Sequence, residues 1–231
     1  MSVKIYWTGD STVKQNDFTT YPQTGIGQGM RLFIKPEAAI LNHAENGRST
    51  KSFIEETRLA AIYNEMTAGD FLFIQFGHND SKAEDPNRYA EAWSEYRANL
   101  ECFVNAARNR KANPVFLTPL CRRWFDENNQ LKERIHGDYP EAMFASAREL
   151  GVACIDLYGR SRELIERQGP EASKRYFMHL EPGEYPNYPE GLTDDTHLRY
   201  EGAVAFAELI AKELKELGGI YEDLLLYPEK L

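Results

Sequence analysis

The sequence predicts an α/β protein, a three-layer αβα sandwich around a five-stranded parallel sheet. Five short runs, Val3 to Thr8, Ala38 to His43, Asp70 to Phe76, Pro114 to Thr118 and Val152 to Leu157, are apolar over consecutive positions instead of alternating. That pattern belongs to strands covered on both faces. Amphipathic segments separate the runs, and alternating β and α units with right-handed crossovers stack into layers. The chain has 231 residues, 42% of them apolar, which is enough for one sizeable core. No internal repeat or low-complexity linker interrupts it, so a single domain over 1–231 is expected.

The helices follow in order. Ser52 to Met66 reads as one amphipathic helix, with Gly69 soon after its end. Tyr89, Trp93, Tyr96, Leu100, Phe103 and Ala107 recur at steps of four and three, which predicts a helix with one apolar face, and Pro86 sits near its expected start. Tyr139 to Leu150 is closed by Gly151, and the last long helix, about Glu201 to Leu217, ends at Gly218-Gly219. Two segments, Cys121 to Asp138 and Tyr176 to Thr196, do not fit this alternation and read as long functional loops. The amphipathic end, Tyr221 to Leu231, is expected to cover a sheet edge, either its own or a neighbour's.

The net charge of -9 opposes attraction to phosphate backbones or anionic lipid, so neither nucleic acid nor membrane is expected as a partner. The amino terminus runs straight into the first strand with no separate apolar leader, and the chain reads as cytoplasmic. Cys102, Cys121 and Cys154 are far apart and odd in number, which predicts buried, reduced thiols. The sequence carries no expectation for oligomeric state.

Ligands of open parallel sheets bind beyond the carboxyl ends of the strands. Ser11 follows the first strand, Gly47 the second and Gly77-His78-Asn79-Asp80 the third, so three polar stations converge on one crevice. A serine hydroxyl is a weak nucleophile that needs a base within reach and a group to orient that base. Asp194-Asp195-Thr196-His197 supplies both: three residues apart in a turn or first helical turn, Asp194 and His197 project to the same side. Asp195 could take the place of Asp194 if the loop turns differently. The N–H groups of Ser11 and Gly47 and the side-chain amide of Asn79 suit an oxyanion hole, and glycine at 47 allows close approach to the backbone.

The blocks "GDS" at Gly9 to Ser11, "NGRS" at Asn46 to Ser49, "GHND" at Gly77 to Asp80 and "DDTH" at Asp194 to His197 resemble, in family order, those of the SGNH (GDSL-type) hydrolases. More narrowly, "GDST", "GRS", "FGHND" and "DTHL" resemble the rhamnogalacturonan acetylesterases. The resemblance implies Ser11 as nucleophile, Asp194 and His197 as its triad partners, Gly47 and Asn79 as oxyanion donors, a flavodoxin-like sheet order and no metal or other cofactor. It also implies a substrate: an acetylated pectic oligosaccharide that loses its acetyl groups.

Each block has a plainer reading, since Gly-Asp-Ser after a strand also suits a turn that caps the next helix. Arg122 and Arg123, leaving the fourth strand on the Ser11 edge, are candidates to grip a uronate carboxylate, and ion pairs with Asp126 or Glu127 would explain them equally. Tyr185, Tyr188 and Trp124, on the two long loops, are candidates to stack on sugar faces, and packing of those loops against the core would explain them as well. His43, His136 and His179 show no ligand spacing. Rival functions are a lipase or acyl thioesterase, a metal-dependent phosphoesterase using "GHND" and "DTH" as ligand blocks, and a non-catalytic sugar binder.

Overall fold

Five consecutive stretches pair in parallel in a computed structural model that describes residues 3–231. They are β1 (Val3–Gly9), β2 (Ala38–Asn42), β3 (Phe71–Gln75), β4 (Asn113–Leu117) and β5 (Ala153–Ile155), ordered β2-β1-β3-β4-β5. A separate antiparallel ribbon joins β6 (Phe177–Leu180) and β7 (Leu192–Leu198). The helices are α1 (Ile26–Gly29), α2 (Thr50–Glu55), α3 (Arg58–Glu65), α4 (Glu95–Asn109), α5 (Tyr139–Leu150), α6 (Leu157–Ala172), α7 (Tyr200–Leu217) and α8 (Gly219–Glu222).

The pleat sorts the strand side chains into two cores. Ile5, Trp7, Phe73 and Val115 meet Ile26 of α1, Ile165 of α6 and Phe206 and Ile210 of α7. Their neighbours Tyr6, Leu72, Ile74 and Phe116 point the other way, onto Phe53 of α2, Ile62 of α3, Phe103 of α4 and Met143 of α5. The expected three layers and strand order are therefore present. Strand order reverses between β2 and β3 on either side of β1, so the carboxyl end of β1 is the switch point at which such sheets hold ligands.

Several expectations need correction. The helix foreseen over Ser52 to Met66 is two helices, α2 and α3, broken at Thr57, which adopts a left-handed φ of 61°. The polar stretch Glu55-Glu56-Thr57 falls where a continuous apolar face would need a core residue, and the break realigns Leu59 and Ile62 with Phe53. The next helix begins at Glu95 and not near Pro86; residues 77–94 form successive turns, and Trp93 leaves the apolar face to lie 47% exposed. Helix α6 was not foreseen, although Asp156 caps it by accepting from the Gly159 N–H at 2.9 Å. The stretch Tyr176 to Thr196 holds β6 and most of β7. Cys102 is exposed, whereas Cys121 is buried and Cys154 half-buried. The carboxyl end folds onto its own chain: Leu225 is buried and bridges Ile34. Among the described residues no helix is long and apolar enough to cross a membrane.

Candidate active site

A tight turn leaves β1. The Asp10 carbonyl accepts from the Val13 and Lys14 N–H groups, and the Asp10 carboxylate accepts from the Thr12 N–H at 2.9 Å and hydroxyl at 2.8 Å. Ser11 sits half-buried at the apex. The turn requires glycine before it, because a Cβ on Gly9 would stand 2.9 Å from the Gln75 carbonyl oxygen. Burial pushes the Asp10 carboxyl up, against the pull of its Thr12 hydrogen bonds.

The loops after β2 and β3 are fastened to each other. One oxygen of the buried Asp80 carboxylate accepts from the Thr50 N–H and hydroxyl, at 2.9 and 2.5 Å, and the other from the Gly77 N–H at 3.1 Å. The Asn79 side-chain amide donates to the Arg48 carbonyl at 3.1 Å. Gly47, at a φ of 74°, sits between these anchors, and among the described residues neither its N–H nor that of Ser11 has an acceptor in the chain. Burial raises Asp80 to about 7; the Thr50 hydrogen bonds oppose this and the nearby Asp10 charge adds to it.

The candidate acid-base pair, Asp194 and His197, comes from β7. Met178 pairs with Asp194 but Phe177 pairs with Leu198, so residues 195–197 bulge out of the ladder. Within the bulge the Asp194 carboxylate accepts from the Thr196 and His197 N–H groups at 2.7 and 3.0 Å, and its other oxygen lies 2.6 Å from His197 Nδ1. His197 Nε2 lies 2.9 Å from Ser11 Oγ. Burial acts to raise Asp194, but the His197 hydrogen bond and charge and the two backbone donors outweigh it and hold the carboxyl at about 2. The turn expected for this motif is thus set inside a strand.

Asp195 faces away from this pair. Its Oδ1 takes Arg123 Nη1 at 2.5 Å and His179 Nε2 at 2.7 Å. Arg123 departs from expectation: it is buried, bonds also to Ser173 Oγ and the Pro170 carbonyl, and is not available to a sugar. Arg122 does reach the crevice side, where its guanidinium lies 4.6 Å over the Trp124 ring and its Nε donates to His78 Nδ1 at 3.3 Å. Neither arginine pairs with Asp126 or Glu127. Tyr185 packs edge-on against Tyr21, and the Tyr188 hydroxyl donates to the Thr20 carbonyl at 3.2 Å, so both fasten the loop before β7 onto the segment after Ser11. Tyr188 remains close enough to Asp194 to feel its charge. Arg48 pins its loop through Glu56 at 2.9 Å.

Sequence reasoning gave no role to Asp80 or to the buried His78 and His136, whose rings meet 4.4 Å apart. Burial, with Arg122 nearby, holds both imidazoles below their usual range, His136 at about 3, so both are neutral. No spacing signal marks His136; it is brought in by its contact with the Leu120 carbonyl at 2.7 Å. Among the described residues no group of three or more His, Cys, Asp or Glu side chains is arranged to hold a metal ion.

A hydroxyl, imidazole and carboxylate in line, beside two free backbone N–H groups and a side-chain amide, is a geometry for acyl transfer. Comparison with known proteins points the same way. The chain is 42% identical to the rhamnogalacturonan acetylesterase RhgT of Bacillus subtilis over 98% of its own length and 96% of that protein's. It is 36% identical to the probable rhamnogalacturonan acetylesterase YesY of the same organism, covering 94% of this chain and 95% of that one. The crystal structure of Bacillus subtilis YxiM superposes with a TM-score of 0.80 at 25% identity, over 94% of this chain and 57% of that one. Acetylxylan esterase Axe2 of Geobacillus stearothermophilus, 16% identical with a TM-score of 0.62 over 96% of this chain and 98% of that one, shares the fold. With residues 8–205 matching the family model as well, the chain belongs to the GDSL-like lipase/acylhydrolase family.

Proposed function

We propose that this protein is a serine esterase that removes acetyl groups from pectic, rhamnogalacturonan-type oligosaccharides by two-step acyl transfer. The observation that carries the chemistry is the continuous line from Asp194 through His197 to Ser11, with spacings of 2.6 and 2.9 Å. The names of the two Bacillus relatives carry the substrate.

Asp194 receives the Nδ1–H of His197 and leaves Nε2 free to accept the Ser11 proton as the hydroxyl attacks the acetyl carbonyl. Negative charge then collects on the carbonyl oxygen, where the Ser11 and Gly47 N–H groups and the Asn79 amide donate to it. Donors that are already oriented stabilise this charge without reorganising, and one of them contributes roughly 3 to 4 kcal/mol. The protonated His197 delivers its proton to the departing sugar hydroxyl, and the acetyl group stays on Ser11. Water, deprotonated by the same imidazole, then frees acetate and restores the serine.

The test is acetate release from acetylated pectic fragments beside acetylated xylan, with the wild type and Ser11→Ala. Release from the pectic substrate by the wild type alone is expected. Equal release by Ser11→Ala would overturn the mechanism, and preference for xylan would overturn the substrate.

A further inference from the structure

Asp194 and Asp195 stand side by side in the strand whose bulge carries His197, and it is Asp194 that meets the imidazole. Asp195 is held elsewhere by Arg123, which grips it twice. The Arg123 N–H donates to the Asp195 carbonyl at 2.9 Å, and Nη1 donates to Oδ1 at 2.5 Å. From β6, His179 Nε2 reaches the same oxygen at 2.7 Å. Residues 195–197 lie outside the β6-β7 ladder, so for Asp195 these bonds stand in place of the ladder.

The Arg123 guanidinium is itself fixed from several sides. Nε donates to Ser173 Oγ at 3.1 Å, Nη2 donates to the Pro170 carbonyl, and the group lies 5.4 Å over the Phe125 ring. Ser173 is held in turn by donating to the Gly169 carbonyl at 2.6 Å, at the kink in α6. A planar fork bonded at these points, on a side chain only 8% exposed, has one orientation, and in it Nη1 points at Asp195.

The other charges nearby are accounted for. Glu171 is close enough to feel Arg123 and His179 but pairs with Lys174 at 2.7 Å. Lys132 lines the same hollow as Arg123 and Asp195, and among the described residues it forms no ion pair with Asp195. Burial acts to raise the Asp195 carboxyl, but the hydrogen bonds of His179 and Arg123 and the charges of both outweigh it and hold it below the usual carboxylate range. Asp195 is therefore an anion two residues from His197. Left unpaired there, it would compete with Asp194 for the Nδ1 proton.

We propose that Arg123 is a positioning residue that holds Asp195 away from His197 and so leaves the imidazole to Asp194 alone. Arg123 touches no reacting atom and acts through Asp195. The proposal rests on the esterase reading above and names how that site chooses between two adjacent acids.

The test measures hydrolysis of a soluble acetyl ester by the wild type, Arg123→Gln, Asp195→Asn and the double variant. Arg123→Gln keeps the backbone N–H and removes the side-chain grip. Its kcat should fall about 10- to 100-fold with KM little changed, the size of loss that follows a misplacement of about 1 Å. The double variant should return to the kcat of Asp195→Asn alone, because the stranded carboxylate has gone with its partner. A merely structural role predicts the reverse, a double variant no faster than Arg123→Gln. The downfield proton resonance of the His197 Nδ1–H gives a second reading: it should weaken in Arg123→Gln and return in the double variant. Should Arg123→Gln fail to fold, Arg123→Lys, which keeps the charge and loses the fork, takes its place, with a smaller fall in kcat that Asp195→Asn again reverses. Wild-type kcat in the Arg123 variant, or a double variant as slow as the single one, overturns the latch and leaves the esterase reading intact. No acetate released by the wild type overturns the esterase reading, and the latch with it.

Discussion

Thr50 gives both its backbone N–H and its hydroxyl to one oxygen of Asp80, at 2.9 and 2.5 Å, and so ties the loop after β2 to the loop after β3. The other oxygen, on the Gly77 N–H, closes the clamp around the segments that present Gly47 and Asn79.

Because burial raises the Asp80 carboxyl to about 7, its contribution to stability has a defined sign. Between about pH 4 and 7 the unfolded chain has released this proton while the folded chain retains it, so the contribution is full below about 4 and is lost as pH rises through 7. Asp80→Asn removes the titration. The stability gap between the wild type and Asp80→Asn, measured by denaturant unfolding, should therefore narrow from pH 4 to pH 7, by roughly 1 to 3 kcal/mol. A constant or widening gap would contradict the assignment.

Removing the proposed nucleophile should have the largest effect on rate. Ser11→Ala is expected to lower kcat at least about 10⁴-fold and to abolish labelling by a serine-directed phosphonate. Labelling that persists at another residue would move the nucleophile elsewhere.

The two neighbouring aspartates should separate cleanly. Asp194→Asn leaves His197 in the wrong tautomer, and a fall in kcat of about 10⁴ is expected. Asp195→Asn instead disturbs the partners of Arg123 and His179, and should lower thermal stability with a far smaller loss of kcat. A reversed order of the two kcat losses would assign the acid role to Asp195.

Asn79→Ala should lower kcat by about 10² to 10³ with KM nearly unchanged, as expected for a donor that acts when charge develops on the substrate oxygen. Steady-state kinetics on a soluble acetyl ester decide this; a loss confined to KM would make Asn79 a ground-state contact.

Gly9→Ala places a methyl group 2.9 Å from the Gln75 carbonyl oxygen and 3.1 Å from Val13 Cγ2. Strain of roughly 1 to 3 kcal/mol should appear as a lower unfolding midpoint. An unchanged midpoint would show that the turn relaxes freely.

The central sheet and the loops carrying Ser11, Gly47 and Asn79 were legible because their signals are local: continuous apolar runs ending in Gly, Asp and Asn. Helix α6 escaped because its capping Asp156 and first residue Leu157 lie within the run read as the fifth strand. The stretch Thr193 to His197 has no alternation to mark a strand; its pairing with β6 makes it one, and the bulge that separates the duties of Asp194 and Asp195 depends on that pairing. Arg123 was weighed only against substrate and its neighbours Asp126 and Glu127 because Asp195, its partner, is 72 residues away in the chain. The surroundings of His136 were hidden for the same reason, since they are defined by what other segments bring to it.

The 186 positions separating Ser11 from His197 also set a schedule. During synthesis the hydroxyl emerges well before the imidazole, which follows every strand of the central sheet. A nascent chain therefore carries an isolated alcohol until the ribbon of β6 and β7 has been made and has docked, so under the proposed mechanism ester cleavage waits for that ribbon.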